Sequence, residues 1–132
     1  MRLILALSAL YYICCLMSCT SHNKKDIGLP GIWQSLWEKD MHLQLQLDTA
    51  HQFKVTLIRT GQTHTNIGWY NIEDNIFLIK DSINYPLPVC NIADTGRYNF
   101  SIVNDTLLFK VIDDKCERRS AALQLDRFVR VK

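Results

Sequence analysis

"MHLQLQLD", residues 41–48, alternates without a break between apolar and polar side chains. A period of two places every second side chain on the same face of a β-strand. The apolar face consists of Met41, Leu43, Leu45 and Leu47, and the polar face of His42, Gln44, Gln46 and Asp48. The stretch is therefore typical of an antiparallel strand with one face in a core and the other in solvent.

The same period continues downstream as a series of hairpins. "FKVTL", residues 53–57, returns along the first strand, and "GWYNIEDNIFLIKD" (68–81) and "GRYNFSIVNDTLLFKVID" (96–113) repeat one hairpin pattern. The centres of these two hairpins are Asp74-Asn75 and Asn104-Asp105. Asp and Asn tolerate the positive φ that tight hairpin turns require, so the second half of the chain predicts a meander.

The whole pattern predicts an all-β domain of seven or eight strands. A meander of that size hides its edges when it closes into a small antiparallel up-and-down barrel, and an open two-sheet sandwich is the alternative. "CERRSAALQL", residues 116–125, is the one segment that favours a short helix. The strands are expected near 31–38, 41–48, 52–59, 67–73, 76–80, 96–103, 106–112 and 127–131.

Length and charge limit the class of protein. The 132 residues suffice for one domain, and 48% hydrophobic with 21% charged residues is a globular composition. The formal net charge is +2, and basic residues never run longer than two. Nucleic acid is therefore not an expected partner, because its binding needs a concentrated basic surface.

The N-terminus has the features of an export signal. Met1 and Arg2 supply a positive start, and Leu3–Leu16 is a fourteen-residue run with few polar side chains. A helix that spans a bilayer needs about 20 apolar residues, whereas the apolar region of a signal peptide needs only about 7–15. Residues 1–18 are therefore predicted to be a signal peptide.

The next residues, Leu16-Met17-Ser18-Cys19, resemble the lipobox of bacterial lipoproteins. The resemblance implies cleavage before Cys19, acylation of its thiol and its new amine (palmitate-type chains), and anchoring of the protein to a membrane. Residues 19–30 would then form the lipidated cysteine and a flexible tether, and residues 31–132 the barrel domain. The location implied is the bacterial cell envelope, and Thr20 favours the outer membrane over the inner one. The alternatives are a plain secretory signal with incidental cysteines, or a buried helix.

The folded part also resembles a known family. Gly31-Ile32-Trp33, the Gly-x-Tyr strands and the basic, aromatic last strand "RFVRV" (127–131) are similar to the calycin pattern. More closely, residues 28–132 resemble the lipocalin-like domains of small bacterial lipoproteins, which carry one cysteine before a Gly-x-Tyr strand and another in an Asp-x-Cys-x-x-Arg motif. Those positions are Cys90, Asp114, Cys116 and Arg119. The resemblance further implies that Trp33 packs under Arg127 or Arg130.

Cys90 and Cys116 are predicted to form a disulfide. They are the thiols that remain once the signal is removed and Cys19 is acylated, and the cell envelope is oxidising. They stand at the two open ends of the last hairpin, which lie side by side in an antiparallel pair. The alternative is that two buried free thiols fill space in the core.

No group of residues in the sequence has the spacing of a catalytic or metal site. The histidines, His22, His42, His51 and His64, lack ligand spacing, and no serine lies in a Gly-x-Ser-x-Gly motif. The carboxylate pairs Glu73-Asp74 and Asp113-Asp114 adjoin turns, and their interpretation is turn chemistry. The sequence thus predicts no enzyme, no metal and no cofactor.

Aromatic and apolar side chains are the remaining candidates for a site. Trp33 and Trp37 share a strand face, and the long loop 82–95 offers Tyr85 and Leu87 as a lid or a partner contact. The side chains predicted to face either a ligand or the core are Trp33, Trp37, Leu45, Trp69, Tyr70 and Tyr98.

These residues predict a cell-envelope lipoprotein that binds a small hydrophobic ligand inside its barrel. The alternatives are a protein-binding envelope module with a filled core, such as a small inhibitor-like barrel, and a purely structural lipoprotein. The interior volume separates them, because a ligand site should enclose about 300 Å³ or more of mostly apolar space.

Overall fold

The structure is a computed structural model that describes residues 28–35, 40–82, 90–125 and 127–132. Within these residues, eight strands form one closed antiparallel barrel, in which each strand pairs with the next and the last pairs with the first. The predicted all-β up-and-down barrel is confirmed. The elements are β1 (Gly31–Ser35), β2 (Met41–Leu47), β3 (Gln52–Arg59), β4 (Gln62–Glu73), β5 (Ile76–Asp81), β6 (Thr95–Val103), β7 (Thr106–Asp113), the helix α1 (Glu117–Leu125) and β8 (Phe128–Arg130).

Several sequence predictions fall outside the described residues. They concern the signal segment 1–18, the acylated Cys19, the indole of Trp37, and the loop side chains Tyr85 and Leu87.

The alternating stretch at 41–48 forms β2 and builds the core as predicted. Leu43, Leu45 and Leu47 are buried, whereas Gln46 between them is exposed. Leu45 pairs with Trp33 of β1 on one side and with Val55 of β3 on the other. Because paired residues of neighbouring strands point to the same face, this register forms one apolar row inside the barrel.

Two tight turns confirm the prediction made from Asp and Asn. Asp74 and Asn75 have φ angles of 50° and 65°, and Asn104 and Asp105 have 50° and 58°. Positive φ at both central residues is the geometry of a type I′ turn, whose twist matches that of the flanking strands. The turns thus determine the register of both hairpins.

Strand β4 begins earlier than the sequence predicts. It starts at Gln62, not near residue 67, and pairs with β3 from Arg59↔Gln62 to Gln52↔Trp69. The first half of β4, "QTHTN", has no apolar alternation and so carries no strand signal. Its pairing is determined by the short turn at Thr60-Gly61, where Gly61 supplies a φ of 73°.

Aromatic rings pack against one another inside the barrel. The ring centroids of Tyr70 and Phe77 lie 5.5 Å apart, those of Phe77 and Phe109 4.9 Å, and those of Phe109 and Phe128 6.1 Å. Tyr98 adds an edge contact to Phe109 at 6.0 Å. These rings come from β4, β5, β6, β7 and β8, so they pack against one another across the interior.

The Gly31-Ile32-Trp33 motif packs against the last strand. The guanidinium carbon of Arg130 lies 4.1 Å from the centroid of the fully buried Trp33 ring, so Arg130 and not Arg127 covers this tryptophan. Arg130 also donates to the carbonyls of Gly28 and Pro30. Gly31 has a φ of 149°, a backbone conformation that other residues rarely adopt, and this explains the glycine. The segment that leads into the barrel is therefore held against its first and last strands.

Candidate functional site

A buried polar cluster lies at the end of the barrel where β5 and β7 finish. Arg119 of α1 places its Nη1 3.2 Å from Asp81 Oδ1 and its Nε 2.7 Å from Asp114 Oδ2. Its Nη2 lies 2.8 Å from Asp114 Oδ1. The side chains of all three residues are at most 6% exposed, so the ion pairs are shielded from water. Arg119 and Asp114 form the two-pronged contact that the guanidinium geometry favours.

Asp114 is the centre of this cluster. Its carboxylate also accepts hydrogen bonds from the hydroxyl of Tyr98 and, at 2.8 Å, from the backbone N–H of Cys116. Burial alone would raise the pKa of Asp114, but the hydrogen bonds from Arg119 and Tyr98 outweigh it and hold that pKa below its usual range. The carboxylate is therefore ionised and fully engaged by donors.

The same contacts shift the pKa values of the two partners of Asp114. Burial and the hydrogen bond to the Asp114 carboxylate raise the pKa of Tyr98 above its ordinary value. Burial works to lower the pKa of Arg119, yet the two carboxylates beside it raise that pKa instead. The cluster thus consists of a charged arginine, ionised Asp114 and a neutral tyrosine, and its geometry holds α1 in place.

A disulfide joins Cys90 to Cys116, with the Cα atoms 5.3 Å apart. The pairing predicted from the sequence is present in the structure. Cys116 immediately precedes α1 and Cys90 precedes β6, so the bond connects the start of the helix to the long connection between β5 and β6. One face of α1 carries the buried residues Arg119 and Leu123, four positions apart. The helix is held by the disulfide, the ion pairs and this apolar contact together.

Part of this cluster carries no signal in the sequence. The turn chemistry predicted for Asp113-Asp114 is present at Asp114, which accepts from the backbone N–H two residues on, but Asp114 is also the buried partner of Arg119, a second role that the turn prediction does not include. The Asp-x-Cys-x-x-Arg spacing was the signal that connects them. Asp81 and Asn66, whose Nδ2 donates to Asp81 Oδ2 at 2.9 Å, carry no such local signal.

A second feature is a groove on the outer wall of the barrel. It crosses β2, β3 and β4 and encloses about 310 Å³. The cross-strand pairs Gln46↔Lys54, Lys54↔Ile67 and Gln52↔Trp69 lie along it. The groove is lined by Gln46, Asp48, Gln52, Phe53, Lys54, Ile67, Gly68, Trp69 and Ser82.

Trp69 lies in this groove and not in the core. Its side chain is 53% exposed, whereas Gly68 and Tyr70 on either side are buried. Successive strand residues face opposite sides, so Trp69 and Tyr70 cannot share the interior. The other described candidates, Trp33, Leu45, Tyr70 and Tyr98, are all buried in the core cluster.

The polar side chains of the groove differ in how they are engaged. Asp48 Oδ1 accepts from the backbone N–H groups of Ala50 and Gln52, at 2.9 and 2.8 Å, so it belongs to the turn after β2. The side-chain amides of Gln46 and Gln52 and the ammonium of Lys54 make no hydrogen bond to another described residue. The groove therefore presents unengaged donors and acceptors beside an exposed indole.

Comparison of the chain with protein-family models, with curated proteins and with solved structures finds no match. Among the described residues, no three His, Cys, Asp or Glu side chains are grouped closely enough to hold a metal ion. The helix present in that part of the chain is too short and too polar to cross a bilayer.

Proposed function

We propose that this protein is a lipid-anchored binding protein of the bacterial cell envelope that uses the outer wall of its barrel. In this proposal the site is the groove beside Trp69, and the protein binds its ligand without transforming it. The anchor is Cys19, on the strength of the Leu16-Met17-Ser18-Cys19 sequence that follows the apolar run.

The observation that carries the proposal is the contrast between the interior and the outer wall. Inside, the rings of Tyr70, Phe77 and Phe109 contact one another, and a ligand there would have to displace them. Outside, Trp69 exposes half of its large apolar side chain in a concave site. Tryptophan is strongly enriched among residues that carry binding energy, and a groove concentrates its contacts.

The polar cluster at the barrel end supports binding over catalysis. Each oxygen of Asp114 accepts a hydrogen bond, and Arg119 is divided between Asp114 and Asp81. A general acid or base needs a proton-exchanging group within reach of substrate. The ionisable groups of this cluster instead contact one another inside the fold.

The groove lies at the same end of the barrel as the tether. Gly31, where β1 begins, pairs with Leu47, and Asp48 of the groove follows directly. Eight residues, 20–27, separate the anchoring cysteine from Gly28, the first residue held by Arg130. An extended chain of that length reaches roughly 30 Å, so the groove would lie within that distance of the membrane surface.

Photo-cross-linking in living cells tests the proposal. A benzophenone amino acid replaces Lys54 in the groove, and in the matched control it replaces Lys110, an exposed lysine of β7 on the opposite wall. Irradiation should yield a cross-linked product from position 54 that disappears when Trp69→Ala is added, and none from position 110. Equal products at both positions, or none at position 54, would contradict the outer-wall site.

A further inference from the structure

We infer that the groove beside Trp69 takes a neutral saccharide; this inference rests on the outer-wall function proposed above and names its ligand class. Four properties of the groove point to it: an exposed indole, unengaged amides, the absence of a cluster of like charges in its lining, and a small volume.

Trp69 is 53% exposed and lines the groove. Its cross-strand neighbours are Gln52 and Lys80, which are flexible and polar, and no described aromatic ring packs against it. The face of an indole ring carries partial negative charge, and it attracts weakly positive C–H groups that lie flat against it. A pyranose ring presents such a face of C–H groups on one side and hydroxyls around its edge.

The side chains around the indole match that edge. The amides of Gln46 and Gln52 each offer both donors and an acceptor, and none of these is engaged by another described side chain. A sugar hydroxyl also donates and accepts at once, so amides pair with it more completely than purely acidic or basic groups do. The same wall continues with further uncharged polar side chains, Gln34, Gln44, Thr56, Thr63 and Thr65.

The charge of the groove excludes strongly ionic ligands. Lys54 and Asp48 are its charged residues, one of each sign, and Asp48 is already engaged by the backbone of its turn. Recognition of a phosphate or a polyanion uses several cations, commonly with bidentate arginine. The lining has a single cation and thus lacks the cluster of like charges that a strongly ionic ligand would require.

The size of the groove also favours a saccharide over a protein partner. Its volume of about 310 Å³ is at the lower end of the range for small-molecule sites, room for one or two sugar rings. A stable protein interface covers roughly 800 Å² on each partner, with 20–30 residues a side. The nine residues that line the groove fall well short of such a footprint.

The test is a titration of the full-length acylated protein in a detergent without a sugar headgroup. The probes are cellohexaose, chitohexaose and maltohexaose as neutral saccharides and hexagalacturonate as an acidic one. The readouts are the Trp69 indole N–H resonance and calorimetry. At least one neutral saccharide should shift that resonance in the wild-type protein. The Kd of that saccharide should rise about tenfold or more in Trp69→Ala. In the control Ile112→Ala, which truncates an exposed apolar side chain on β7, the Kd should stay within about twofold of the wild-type value.

The outcomes distinguish between possible sources of the saccharide, and between failure of the saccharide inference and failure of the outer-wall function. Preference for chitohexaose indicates an N-acetylated glycan of the cell wall type, and preference for either glucan an external polysaccharide; both support the inference. Tighter binding of hexagalacturonate, no shift with any neutral saccharide at about 10 mM, or a Kd unchanged in Trp69→Ala overturns it. If peptides of a second protein are identified in the product cross-linked from position 54, and excess saccharide does not lower its yield, the occupant is a protein. The saccharide inference then fails while the outer-wall function stands.

Discussion

Replacing Arg119 by alanine should remove a large share of the stability of the barrel. The substitution deletes the guanidinium that lies 3.2 Å from Asp81 and 2.7 Å from Asp114, and leaves both carboxylates buried. Breaking a buried pair by removing one partner costs about 3–5 kcal/mol, because the remaining charge has lost both its partner and its water. For a domain of this size, a loss at the middle of that range lowers the Tm by roughly 15 °C or more.

The assay is urea unfolding followed by tryptophan fluorescence, and the helix supplies a matched control. Arg118 is exposed and adjacent to Arg119, so Arg118→Ala should change the free energy of unfolding by less than about 0.5 kcal/mol. Where Arg119→Ala does not fold, Arg119→Lys replaces it, because lysine retains the charge but not the two-pronged contact. The free energy of unfolding should then fall by less than the loss of about 3–5 kcal/mol given above for removing one partner of a buried pair. A loss for Arg119→Ala no larger than that of Arg118→Ala would refute the reasoning.

The pH dependence of unfolding gives the same experiment a second readout. The folded pKa of Asp114 is lowered, so its contribution is present above the ordinary value of 3.8 and is lost as the pH falls below about 4. The folded pKa of Tyr98 is raised, so its contribution is present below the ordinary value of 10.0 and is lost as the pH rises beyond it. In Arg119→Ala, the free energy of unfolding should fall less steeply as the pH drops below about 4 (the acid limb of the curve), since the lowered pKa of Asp114 depends on the guanidinium. An acid limb unchanged in the variant would contradict this assignment.

Three further predictions concern the covalent and steric features of the chain. Reducing the Cys90–Cys116 disulfide, which closes a loop with a sequence separation of 26, should lower the free energy of unfolding by about 3.5 kcal/mol. Before reduction, mass measurement after alkylation should find no free thiol at either position. Gly68→Ala should destabilise the fold by about 1–3 kcal/mol in thermal unfolding, because a Cβ there would overlap the Phe53 ring and a backbone carbonyl of β5; a Tm equal to that of the wild type would show that the strands shift freely. Cys19→Ser should leave the protein unacylated and release it from the detergent phase in phase partitioning, and a variant that partitions like the wild type would show that the anchor lies elsewhere.

The barrel could be predicted because its signals are local. The alternation in β2 and the Asp-Asn turns at 74–75 and 104–105 each act over a few residues, and both occur in the structure as predicted. The disulfide was predictable for a related reason, because the ends of one hairpin are adjacent whatever the rest of the chain does.

The polar cluster and the groove could not be predicted in the same way. Arg119 and Asp81 are 38 positions apart, and their contact depends on how the barrel closes and where α1 packs. Trp69 was ambiguous because "GWY" places two aromatic residues side by side in one strand, where one of them must face outward. Which one is inside depends on the register with β3, where Gly68 pairs opposite the buried Phe53.

The position of the stabilising contacts bears on where a ligand can bind. The disulfide, the Arg119 ion pairs and the Leu123 contact all hold α1 at one end of the barrel, and Arg130 holds the entering chain against Trp33 at the start of β1. A ligand that entered the core would have to break strong contacts and also separate packed rings, and both costs would be subtracted from its affinity. A ligand on the outer wall meets neither cost, because the indole of Trp69 and the amides of the groove are already exposed. The same contacts that stabilise the fold therefore support the outer-wall site that we propose, because they raise the cost of entering the core.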